Sequence, residues 1–105
     1  MQKIYVDSSY DWNKTKEGKG VGKLCIFDGN NYEVIEKELN FPGLKQLNNR
    51  FELEAIEYAR NKFGADCIIF SDSKVAVGWA NKMGILNAIW CPREENKAGI
   101  YLDGI

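Results

Sequence analysis

The chain has 105 residues, 45% of them hydrophobic and 28% charged, with a formal net charge of −1. That is the length and composition of one globular domain over residues 1–105, with enough apolar mass for a core and no bias toward disorder. No apolar run approaches the ~20 residues of a membrane span, and the near-neutral charge excludes a uniformly basic nucleic-acid glove.

The apolar part of "MQKIYVDSS" is too short for a signal peptide, so an intracellular, cytoplasmic protein with no membrane partner is expected. There is no histidine, which removes Ser-His-Asp triads, His acid–base chemistry and His metal ligands. Cys25, Cys67 and Cys91 each sit inside an apolar run without CxxC spacing, and are expected as free buried thiols.

In chain order, "KIYV" (3–6) reads as a strand ending at Asp7. A polar loop with Lys14, Lys16, Lys19 and Lys23 follows, read either as a solvated hairpin or as a phosphate contact. "GVGKLCIF" (20–27) and "YEVIEKEL" (32–39) flank the turn signal "DGNN" and complete an antiparallel meander. Pro42 and Gly43 break it. A helix is predicted over 48–63, with Asn48 and Asn49 at its start, Phe51, Ala55, Ala59 and Phe63 on its apolar face and Gly64 at its end. "DCIIFS" (66–71) is continuously apolar, the pattern of a central strand buried on both faces. A helix over 72–83 with Val75, Ala76, Trp79 and Ala80 inward, a strand over 85–91 and a short helical tail complete the order βββαβαβ. The expected fold is α/β: a mixed five-stranded sheet, three antiparallel strands and then parallel βαβ units, flanked by helices.

Three carboxylates stand out against this frame. Asp7 and Asp72 end strands that become neighbours if the first and fourth strands pair, and Glu52, in the first turn of the linking helix, lies at the edge of its apolar stripe. Carboxylates brought so close repel one another unless a divalent cation joins them, and Mg²⁺ is the ion that suits such oxygen ligands. Each also has a local reading: Asp72 as a helix cap, Asp7 as a turn acid, Glu52 as a partner of the helix dipole.

At these residues the chain resembles the bacterial-type ribonuclease H family over essentially its whole length. "VDSSYDWN" is similar to the family's Asp-Gly-Ser with an Asn six residues beyond the Asp, giving Asp7, Ser8 in place of Gly, Ser9 and Asn13. "NNRFELEAI" resembles Asn-Asn-x-x-Glu-Leu-x-Ala, giving Asn48, Asn49, Glu52, Leu53 and Ala55. "IIFSDSK" matches the strand followed by Asp72 and Ser73, and "PREENKAG" resembles the Pro-Arg-Glu-x-Asn stretch before the last acid. Two departures stand out. The family's fourth acid would fall at Ile100, with Asp103 one turn on as a substitute. The segment from Asp72 to Asn96 also leaves no room for the basic substrate-gripping handle of some members.

The resemblance implies a ribonuclease H-like fold and metal-dependent hydrolysis of the RNA strand of an RNA–DNA hybrid, with two Mg²⁺ ions (Mn²⁺ as a substitute) clamping the scissile phosphate. Asp7 would bridge both ions, Glu52 hold the one on the leaving-group side and Asp72 the one on the water side, with Asp103 as a further catalytic acid. Ser9, Asn13, Asn48, Asn49, Ser73 and Lys74 are implied as nucleic-acid contacts, with Trp12 against a sugar or in the core. Substrate grip is expected to be weak or supplied by a protein partner. Three alternatives stay open: a degenerate nucleic-acid or protein binding module of the same fold, a nuclease for branched DNA or transposon ends, and a nucleotide-binding α/β protein. The last lacks a Gly-rich loop between a first strand and a helix.

Overall fold

A computed structural model describes residues 1–11, 13–16, 18–40 and 46–104 of the protein. Trp12 and the break at Pro42 and Gly43 lie outside the described residues. Strands β1 (Gln2–Tyr10), β2 (Lys19–Phe27) and β3 (Tyr32–Asn40) form the expected antiparallel meander. Helix α1 (Leu47–Phe63), β4 (Cys67–Ser71), α2 (Lys74–Lys82) and β5 (Ala88–Trp90) follow, and a 3₁₀ turn (Arg93–Glu95) leads into α3 (Lys97–Asp103). The order across the mixed five-stranded sheet is β3-β2-β1-β4-β5, so the first and fourth strands are neighbours, and they run parallel.

Residue alternation divides the sheet into two faces. Ile4, Val6, Leu24, Ile26 and Ile69 point to one face and pack against Phe51, Ala55, Ile56 and Ala59 of α1 and Ala76, Val77 and Ala80 of α2. The second face is thinly covered: α3 supplies Ala98 and Leu102 over Cys25, with Tyr5 and Phe27 packed alongside. Among the described residues no helix is long and apolar enough to cross a membrane.

Several boundaries differ from those read in the sequence, each because tertiary contacts override a local signal. β1 does not end at Asp7; pairing with β2 carries it on through Ser8↔Leu24 and Tyr10↔Gly22. Gly22 is required there, because a Cβ would collide with the Ser9 carbonyl and stand 3.1 Å from the Phe51 ring. Asn48 and Asn49 lie within the first turn of α1 rather than at its cap, which is Gln46 in a left-handed conformation with no side-chain bond. Glu52 therefore falls in the second turn. β4 is fully buried on one face only, since Ile68 and Phe70 on the thinly covered side are half-buried. α2 starts after Ser73, whose hydroxyl accepts from the Ala76 N–H, so Asp72 is not its cap; Val75 is exposed and Val77 takes the inward position. β5 keeps only three residues, and Ile85 joins the core from the preceding loop.

A candidate metal centre at the step between two strands

β1 and β4 pair only from Gln2↔Cys67 to Tyr5↔Phe70. β4 ends at Ser71 while β1 continues to Tyr10, so the backbone of Val6 and Ser8 faces a position no strand fills. Buried backbone groups need partners, and side chains supply them. The Val6 carbonyl accepts from Asn96 Nδ2 at 2.9 Å, and the Ser8 N–H donates to Glu52 Oε1 at 2.8 Å. The unequal strand lengths thus draw Glu52 and Asn96 to the sheet's end.

Glu52 is held on both oxygens. Oε1 also accepts from Ser8 Oγ at 2.9 Å, and Oε2 from the fully buried Ser71 Oγ at 3.0 Å. Asp7 lies one residue before Ser8 and points to the opposite face, toward α3. A methyl group added at Gly99 would stand 3.0 Å from Asp7 Oδ2, so α3 makes room for this carboxylate by having no side chain there. Asp72, just beyond β4, completes a group in which one carboxylate oxygen from each of Asp7, Glu52 and Asp72 lies within 4.8 Å of the others.

The electrostatics of this group are those of a charge deficit. Burial, above all, holds the Glu52 carboxyl well above its ordinary range; a hydrogen bond shared with Asp7 and the charges of Asp7 and Asp72 push the same way, against the bond from Ser8. Asp72 is raised by burial and then by the Asp7 charge, opposed by a bond from Asn96 and by Arg93. Asp7, only 6% exposed, takes no hydrogen bond from a backbone N–H, amide or hydroxyl group among the described residues, and its one hydrogen-bond partner there is the Glu52 carboxyl. A nine-tenths buried carboxylate whose close polar neighbours are other carboxylates fits a divalent cation, which replaces the missing donors and cancels the repulsion. Cys25 and Cys91 border the group, and burial followed by the nearby carboxylate charges pushes both thiols up to about 11. They remain protonated and are poor ligands.

The three acids open into a cleft of about 520 Å³ that Ser9, Asn48, Asn49, Ser73, Lys74, Arg93 and Asp103 also line. Of the residues singled out in the sequence, Asn13 is not brought there; it is exposed, with its N–H on Asp11 Oδ1. Asp103 reaches the cleft but is exposed, stands apart from the three clustered acids, and faces Arg93 at 3.8 Å. The Ser73 hydroxyl is committed, donating to Asn49 Oδ1 while capping α2, so it orients Asn49. Sequence reasoning passed over Ser8, Ser71, Arg93 and the fully buried Asn96, which caps α3 through the Ala98 and Gly99 N–H groups and reaches Asp72 Oδ2 at 3.3 Å. The signals available in the sequence were the resemblances themselves: Ser8 stands where the resembled motif has Gly, and Asn96 is the Asn of the stretch resembling Pro-Arg-Glu-x-Asn. No protein-family model matches the chain, and a search of curated proteins finds no relative.

Proposed function

We propose that the protein is a divalent-cation-dependent nuclease that hydrolyses the RNA strand of an RNA–DNA hybrid on the two-metal ribonuclease H pattern. The observation that carries this reading is the convergence of Asp7, Glu52 and Asp72, from three separate elements, at the end of a parallel strand pair. The crevice outside strand ends is where open α/β sheets bind ligands.

Asp7, Glu52 and Asp72 would hold the ions, Mg²⁺ or Mn²⁺. Bound there, the ions would supply Lewis-acid stabilisation of charge developing on the phosphate and lower the pKa of the attacking water, so that a chain without histidine needs no side-chain base. Ser8 and Ser71 fix the Glu52 carboxylate, and Asn96 fixes Asp72. On the cleft wall Asn48, Asn49 and Ser9 offer polar groups to the sugar edge, where a 2′-hydroxyl distinguishes RNA from DNA. Lys74 and Arg93 offer cations to the phosphates.

One observation favours a second reading, a binding module that holds nucleic acid without cutting it: position 100 carries an isoleucine, 58% exposed, and the nearby Asp103 is drawn to Arg93. Cleavage of a labelled hybrid with Mg²⁺ or Mn²⁺, wild type against Asp72→Asn, separates the two. The nuclease cuts only with the ion, leaves 5′-phosphate and 3′-hydroxyl ends, and loses more in the variant than the roughly 10–100-fold that an outer partner of a ligand costs. Hybrid binding without metal-dependent cleavage supports the module, and preference for duplex or branched DNA would reassign the substrate.

A further inference from the structure

Ser8 reaches into the site, and its hydroxyl donates to Glu52. Both of its donors, N–H at 2.8 Å and Oγ–H at 2.9 Å, fall on the same oxygen, Glu52 Oε1. A carboxylate has about four acceptor positions, two on each oxygen. With Ser71 Oγ on Oε2, three are filled. One remains, on Oε2.

We propose that Ser8 is a positioning residue that restricts Glu52 to offering a single oxygen, and so biases the centre toward small octahedral ions, Mg²⁺ and Mn²⁺, over Ca²⁺. The inference rests on the nuclease reading only for the presence of a divalent ion. Mg²⁺ demands near-ideal octahedral geometry and is bound through few carboxylates. Ca²⁺ takes six to eight oxygens at longer distances and readily accepts both oxygens of one carboxylate. Saturating Oε1 with two donors removes the two-oxygen mode that Ca²⁺ exploits. Asp7 and Asp72, each with an oxygen within 4.8 Å of a Glu52 oxygen, supply the other carboxylates of the centre, and Asp7 is 6% exposed with no backbone, amide or hydroxyl donor among the described residues.

Isothermal titration calorimetry of the full chain with Mn²⁺, Mg²⁺ and Ca²⁺ tests this without reference to activity. Wild type should prefer Mn²⁺ and Mg²⁺. Ser8→Ala and Ser8→Gly, which keep the backbone donor and lose the hydroxyl, should shift the Ca²⁺-to-Mn²⁺ affinity ratio toward Ca²⁺ by about tenfold, the scale of one hydrogen bond to a charged group. Ser8→Thr, which retains a hydroxyl, should restore the wild-type ratio. Circular dichroism identifies the folded variants, and the glycine variant, free of any new side-chain contact, serves if the alanine one misfolds. An unchanged ratio in the folded variants, or an equal loss for all three ions, overturns the role of Ser8. A wild-type protein that takes up no divalent ion instead overturns the metal-centre reading beneath it.

Discussion

Replacing Asn96 by alanine tests the strand-step architecture most directly, because four bonds end on this one fully buried side chain. Loss of the Oδ1 cap on α3 costs about 1 kcal/mol. Loss of Nδ2 leaves the buried Val6 carbonyl without its partner, worth about 1–3 kcal/mol, and removes the donor facing Asp72. The expected destabilisation is about 3–5 kcal/mol, a large share of the roughly 5–15 kcal/mol of a domain this size. Urea denaturation followed by circular dichroism measures it, with the m-value unchanged if the native fold is kept. Asn96→Asp separates the two halves of the argument: it retains the capping oxygen, loses the donor, and adds a carboxylate beside Asp72, so it should be more damaging at pH 7 than at pH 4. A loss below about 1 kcal/mol in the alanine variant, or a pH-independent aspartate variant, would refute the claim that Asn96 stands in for the missing strand.

Two further outcomes follow from the same geometry. Because the folded Glu52 carboxyl lies above its ordinary range, the native state keeps a proton that the unfolded chain releases. The ion-free fold therefore loses stability as pH rises from the ordinary carboxylate pKa through the raised one. Glu52→Gln should flatten that dependence and, in chelator at pH 8, melt higher than wild type by the equivalent of about 1–3 kcal/mol; parallel melting profiles from pH 5 to 8 would contradict it. Gly22→Ala should cost about 1–3 kcal/mol from overpacking against Ser9 and Phe51, measured by the same denaturation, and a neutral result would mean β1 and β2 separate there.

The element order was legible because it rests on periodicity and punctuation: the apolar run of β4, the four-residue recurrence of Phe51, Ala55 and Ala59, and Gly64 at a helix end. Glu52 was legible for the opposite reason, as a carboxylate out of place on a core-facing stripe. What stayed hidden depends on partners remote in the chain. Ser8, Ser9 and Tyr10 carry little strand signal of their own, and β2 makes them strand. Val75 and Val77 are equally apolar, and only the packing of α2 decides which is buried. Asn96 reads as a polar loop residue until the Val6 carbonyl, 90 positions away, is seen to lack a strand. Lys14 and Lys23 line a second cleft with Asp11 and Glu36, where carboxylates offset them, so the uneven lysines of the sequence form no basic stripe there.

The Ser8 amide is closed off by a side chain where its neighbours along the strand are closed off by backbone. Solvent exchange at that one N–H is therefore gated by a rotamer, and needs no separation of strands. Its proton is a built-in gauge of where the Glu52 carboxylate sits, readable by nuclear magnetic resonance in the intact protein.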